Sequence, residues 1–349
     1  MSLTFYKWIL LFNEIFSAKN LFALNLKLNT TFIVMKSLKD ILSERIVLLD
    51  GALGTFIEKY NLREYDYHKN RFINHSKNLY GFHEILTFTD PRFIQEIHEK
   101  YLKAGSDIIV TNTFRGNEYY LDQYDLKGLS YELNFTAGKL AREVAGKYSI
   151  IRRDKPRFVF GSVGPVPAGV PMEDYKQIYG QQIKGLLAGN VDGIILECFD
   201  SEQGLLQVIT VLEEIMQKRK RKIYVILAAN VNDEGKFFIS NDFITRVEEM
   251  VNFVDILAVG QCCGRGPDRI FSDIKELSAS VNYPVVVCPS AGSEEEEEKL
   301  SAPEFAALIK RFLDEKLVNI IGGCSGTTPE YIEILANLIK NYQPREFSA

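Results

Sequence analysis

Asp255-Ile256-Leu257-Ala258-Val259-Gly260-Gln261-Cys262-Cys263-Gly264 sets the architecture of this chain. Ile256 to Val259 is an apolar, partly β-branched run with the length of a buried strand, and it stops at a glycine followed by two thiols. The pattern recurs downstream. Val318 to Ile321 runs into Gly322-Gly323-Cys324-Ser325-Gly326-Thr327-Thr328-Pro329-Glu330. Three of the five cysteines therefore stand where a strand gives way to a loop. Soft thiolates converging from two strand ends suit zinc, and three protein ligands would leave a fourth position for a substrate.

Working outward, short apolar runs alternate with longer amphipathic stretches from residue 45 onward. The strands are expected at Ile46–Leu49, Asp107–Val110, Phe158–Gly161, Gly193–Leu196, Tyr224–Leu227, Asp255–Val259, Val285–Val287 and Val318–Ile321. Helical periodicity falls between them, as over Arg92–Ala104, Tyr131–Lys147, Asp174–Gly189, Gly204–Arg219, Glu304–Glu315 and Glu330–Lys340. Such alternation gives an α/β protein with a parallel sheet. Eight units predict a single-domain (β/α)8 TIM barrel, whose chemistry gathers at the C-terminal ends of its strands. The residues there are Asp50, Thr111-Asn112-Thr113, Ser162, Glu197, Asn230, Cys262-Cys263, Cys288 and Cys324. A doubly wound open sheet would spread the same groups along an edge instead of collecting them in a ring.

The bulk numbers fit one large core: 349 residues, 46% hydrophobic and 25% charged. A net charge of −5 offers no general attraction to nucleic acid. The one basic run, Lys218 to Lys222, is expected to end a surface helix, and the acidic run Glu294 to Glu298 to form a solvated loop. Five cysteines make no disulfide framework in a chain this long, which points to a reducing cytoplasm. No membrane-spanning run is present. Residues 1–34 read as an N-terminal tail or extension, and residues 35–345 as the barrel.

Asp50-Gly51-Ala52-Leu53-Gly54-Thr55 follows the first strand, either as a loop whose N–H groups hold a carboxylate or as an ordinary turn capped by Asp50. Glu197 closes the fourth strand, where a buried carboxylate requires a cation. A substrate ammonium or an internal Lys or Arg would supply it. Gly161-Ser162-Val163-Gly164-Pro165 permits close ligand approach. Thr327-Thr328-Pro329-Glu330 reads as a helix start capped by either threonine. Cys198 and Cys288 are expected to be buried apolar fillers. The four histidines all precede the third strand, so no imidazole ligand is expected.

Together these segments resemble the homocysteine S-methyltransferase family, whose members carry a DGAxGT loop, a TNTF strand end, GSxGP, an acidic ETF-like strand end, a GxNC segment and GGCCGTTPEHI. They stand here as Asp50 to Thr55, Thr111-Asn112-Thr113-Phe114, Gly161 to Pro165, Glu197-Cys198-Phe199, Gly260-Gln261-Cys262-Cys263 and Gly322 to Ile332. The order holds from about residue 38 to 340. Tyr131 to Phe135, Lys139 to Val144 and Asp66 to Arg71 look most like the homocysteine-binding domain of cobalamin-dependent methionine synthase. The resemblance implies a barrel holding zinc by three cysteines, with L-homocysteine as the fourth ligand. Two ligand positions fall on Cys263 and Cys324. The third falls on Ser325, a poor zinc ligand, while Cys262 replaces the family's asparagine and restores the count. It further implies that Asp50 and Glu197 hold the substrate's ammonium, that N–H groups around Gly51 hold its carboxylate, and that Asn112 and Ser162 line the same site. Methyl would come from methylcobalamin on a separate folate/cobalamin-binding chain, or from S-methylmethionine or a similar onium donor. The alternative is a non-catalytic barrel with a degraded metal site that binds an amino acid or a partner chain.

Overall fold

The computed structural model describes residues 36–347, apart from 233, 263 and 293–298. Cys263, the acidic run 294–298 and the expected tail thus lie outside the described residues. Eight parallel strands form one sheet: β1 Val47–Leu48, β2 Ile108–Val110, β3 Phe158–Val163, β4 Gly193–Glu197, β5 Ile223–Ala229, β6 Val254–Cys262, β7 Val285–Cys288 and β8 Ile320–Ile321. Their order, β1-β8-β7-β6-β5-β4-β3-β2, is that of a (β/α)8 TIM barrel. All eight expected strands are present. Five (β3 to β7) reach further than expected, and in three of them Glu197, Cys262 and Cys288 are the last strand residues and not the first loop residues.

The seam between β1 and β2 is closed by two aspartates. Near the N-terminal ends of the strands, Asp107 N–H donates to Leu48 O (2.7 Å) and the Asp107 carboxylate accepts from Leu48 N–H (3.0 Å). Near the C-terminal ends, the Asp50 carboxylate accepts from Val110 N–H (2.8 Å). Side chains do here what a backbone ladder does elsewhere in the barrel.

Two apolar layers follow from the two-residue period of the strands. Inward residues such as Phe160, Ile195, Ile226, Ala258 and Val286 fill the barrel, and the Leu38–Glu44 helix inserts Leu38, Ile41 and Leu42 into the same cluster. Outward residues pack beneath the helices. The helices start where the sequence supplies caps: Asp90 accepts from Phe93 N–H before Pro91–Ala104, and Ser301 forms a reciprocal capping box with Glu304. Thr328 precedes Pro329–Leu338 without a side-chain cap bond. Thr327 bonds elsewhere, donating to Cys324 O at 2.6 Å and accepting from Ala52 N–H at 3.2 Å. Thr327 thus ties the Cys324 turn to the first βα loop instead of capping. Among the described residues no helix is long and apolar enough to cross a membrane.

One irregularity sets up the site. The β5–β6 register steps from Val225↔Ile256 to Ile226↔Ala258, leaving an extra residue in β6. A bulge of one residue reverses which side chains face inward from there on. Ala258, Gly260 and Cys262 consequently share the inner face with Ile226 and Ala228, and Cys262 pairs with inward Cys288.

Candidate active site

A cavity of about 500 Å³ opens at the C-terminal ends of the strands. Asp50, Gly51, Asn112, Ser162, Glu197, Cys262, Cys324 and Ser325 all line it, so the expected site residues within the described part of the chain meet in one place.

The sulfurs of Cys198, Cys262 and Cys324 lie within 4.8 Å of one another. Three thiolates about 2.3 Å from one tetrahedral zinc would sit about 3.8 Å apart, so the group needs to close by at most about 1 Å to fit. Cys198 is a correction to the sequence reading. Its φ of +63° is left-handed, unusual for a residue with a Cβ, and redirects a side chain that strand alternation would turn away from Glu197's face. Cys198 is disulfide-bonded here, so it becomes a ligand only when reduced. Cys288 is buried in the apolar cluster inside the barrel, as expected, and also borders the cavity.

The thiols are not equivalent. The neighbouring Cys288 and Cys324 sulfurs, together with burial, push Cys262 well above the usual thiol range. Cys324 is lowered, first by the neighbouring Cys262 thiol and also by the Ser325 backbone and side chain beside it.

Glu197 accepts from Ser162 Oγ through one oxygen and from Cys262 Sγ (3.7 Å) through the other. Burial raises its pKa despite both bonds. Burial also raises Asp50 well above the usual carboxylate range, and the nearby Glu197 charge adds to the effect. Among the described residues neither carboxylate forms an ion pair. Two acceptors thus face the cavity without a protein cation.

Ser162 is held by the strand ends beside it. Thr111 Oγ1 accepts from Ser162 N–H (3.1 Å), Thr113 Oγ1 donates to Ser162 O (2.8 Å), and buried Gln182 Nε2 donates to Thr113 O (2.7 Å). Gly51 is required sterically, because a Cβ there would come within 2.9 Å of Thr327 Oγ1. Asn112 Nδ2 donates to His83 O (2.8 Å), fixing a rim that the sequence reading missed. His83 contacts Tyr67 Oη through Nδ1 (2.9 Å), and Glu84 pairs with Arg115 (3.3 Å). All three of His83, Glu84 and Arg115 line the cavity. His83 and Glu84 come from the long connection between β1 and β2, more than thirty residues past β1 by roughly counted sequence, where strand-end logic does not look.

The family model for homocysteine S-methyltransferase matches residues 47–339. The chain belongs to the homocysteine S-methyltransferase family. Membership makes it a methyltransferase, with the cavity above at the position where barrel enzymes work. The homocysteine methyltransferase MmuM of Escherichia coli has a similar fold. Its metallated and oxidized forms each match with a TM-score of 0.64 and 20% identity, over 84% of this chain and 96% of that one. Its apo form matches with a TM-score of 0.61 and 20% identity, over 87% and 98%.

Proposed function

We propose that this homocysteine S-methyltransferase family member methylates the sulfur of L-homocysteine to give methionine, at a zinc site built from Cys262, Cys324 and a third thiolate. The observation that carries this is the close approach of three sulfurs beside two uncompensated carboxylates. Cys198, whose sulfur lies near the other two, is one candidate for the third, and Cys263, implied by family resemblance, is the other. Zinc, when bound, would keep the substrate thiol deprotonated at neutral pH, where a free thiol is mostly protonated.

The chain's own groups do the rest. Asp50 and Glu197 receive the substrate ammonium, which supplies the cation they lack, and Ser162 holds Glu197 in place. N–H groups from Gly51 into the Leu53–Glu58 helix receive the carboxylate, the Ala52 N–H being committed to Thr327. The sulfur then attacks the donor's methyl carbon in line. The new S–C bond forms as the donor bond breaks, and its electron pair leaves with the donor. The donor is methylcobalamin carried by another chain, or a small onium compound such as S-methylmethionine. Free thiolates of this kind require a reducing compartment such as the cytoplasm.

Metal content and turnover test this together. The reduced protein should bind about one zinc, and Cys262→Ala and Cys324→Ala should each abolish binding, while Ser325→Ala changes it little. Whichever of Cys198→Ala and Cys263→Ala also abolishes binding identifies the third ligand. Product should appear with methylcobalamin or S-methylmethionine as donor. A zinc-free protein that takes up no metal and turns over neither donor would leave the non-catalytic barrel.

A further inference from the structure

The basic run Lys218 to Lys222 is not absorbed by the chemistry at the barrel mouth. Its five residues are consecutive and exposed, and immediately precede β5, at the opposite end of the barrel from the cavity. The C-terminus of the Glu202–Arg219 helix accounts for two of them, since cations in a last turn complement the dipole. It does not account for the next three. Lys220 even occupies a left-handed cap (φ +52°), a position glycine fills without strain. Among the described residues none of the five forms an ion pair.

The fold adds cations from elsewhere in the chain. Between the Tyr175–Ala188 and Glu202–Arg219 helices lies a groove of about 270 Å³ floored by Gly180, Val211 and Ile215. Lys176 and Lys184 stand on one rim, Lys218 and Arg219 on the other. Glu214 is the one acid there and is already paired with Lys176 at 2.5 Å. An apolar floor between two cationic rims is complementary to an extended segment that alternates carboxylates with an apolar side chain.

We propose that this groove and the adjoining basic run form a docking site for an acidic segment of a partner protein, whose apolar side chain seats between the two helices. The exposed large apolar side chains all lie outside the stretch from Lys176 to Lys222. None of the residues lining the groove is aromatic and no exposed large apolar side chain projects from that stretch, so the groove offers no ring for stacking nucleic-acid bases and no apolar wedge for a lipid surface. A chain of net charge −5 also repels extended polyanions at long range, while a short segment meets only the local field. A partner held here leaves the mouth of the barrel open.

The test uses the full chain and a labelled peptide of glutamates interrupted by leucines, followed by fluorescence anisotropy. Binding at low salt should weaken at least about tenfold near 0.5 M salt, where the screening length has shrunk to a few ångströms. Arg219→Glu combined with Arg221→Glu should weaken it by a similar factor. Gly180→Met should fill the groove, since a Cβ at Gly180 meets nothing within 4 Å. It should cost the leucine peptide several-fold while sparing a peptide with serine in place of leucine. No binding at low salt, indifference to either variant, or tighter binding to anionic vesicles or single-stranded DNA would overturn the proposal.

Discussion

The two ends of the β1–β2 seam carry the same residue under opposite conditions. At the N-terminal end, buried Asp107 is surrounded by cations: Arg45 grips it with two bonds (2.7 and 2.9 Å), and Lys155 (3.4 Å) and Arg157 (3.6 Å) approach the same carboxylate. At the C-terminal end, buried Asp50 has a backbone N–H and, near it, another acid. The first arrangement is complete without a ligand. The second becomes complete only when a cation arrives from outside. One end of the barrel is therefore built to hold, and the other to receive.

The sharpest way to break this contrast is to remove the compensated aspartate. Asp107→Ala strands Arg157 and Lys155 near a barrel floor and takes away the acceptor of Leu48 N–H. It should lower unfolding free energy by about 3–5 kcal/mol in chemical denaturation. A loss below 1 kcal/mol would mean that the cations relax into solvent and the floor is not a held structure.

His98 supplies a third case, buried with neither ring nitrogen hydrogen-bonded and far from any strand end in sequence. Burial lowers its pKa from 6.5 to about 4. The unfolded chain binds the proton first, so His98's stability contribution is full above the unfolded pKa and is lost as pH falls through that value towards 4. The loss should approach about 3 kcal/mol by pH 4. His98→Leu should flatten that limb of a pH–stability curve, and an unchanged slope would show that the ring finds a partner.

Asp50→Asn is the converse of the first variant. The amide oxygen still accepts from Val110 N–H, and a buried charge disappears. Stability at pH 7 should stay level or rise, while homocysteine affinity measured by calorimetry falls about 10- to 100-fold, the range for a charged hydrogen bond. A destabilised but tightly binding variant would reverse the roles assigned to the two ends. The smallest effect is expected at the chain start. Protein beginning at Met35 should melt where the full chain does, if residues 1–34 add nothing to the barrel.

Much of this was legible from the residues. β-branched runs and helical periodicity place every strand, because in a barrel both strand faces are buried and the runs are continuous. Asp50, Ser162 and Glu197 follow from their positions at strand ends. What sequence could not show was side-chain direction. Cys198 looked like filler because nothing in its identity encodes a left-handed backbone, and either threonine looked like a cap because the bond that Thr327 accepts from Ala52 N–H spans most of the chain. His83 and Glu84 reach the cavity through a connection whose path depends on tertiary contacts. Asp107 read as a strand start and Asp50 as a loop residue, since a staple across strands is visible only once both strands are in place.

The extra residue in β6 gives the chain an odd sensitivity to length. Point substitution at Leu257 would alter packing, and deletion of one residue there would only restore regular pairing with β5, but insertion of one residue between Ala258 and Gly260 would exchange the inner and outer faces of everything downstream in the strand. Gln261 would turn towards the barrel and Cys262 away from it. Whether this protein presents a thiol at that point is therefore fixed by a count as much as by a composition. A gene altered by a single codon, with every cysteine intact, would encode a chain with the same parts list and a different interior.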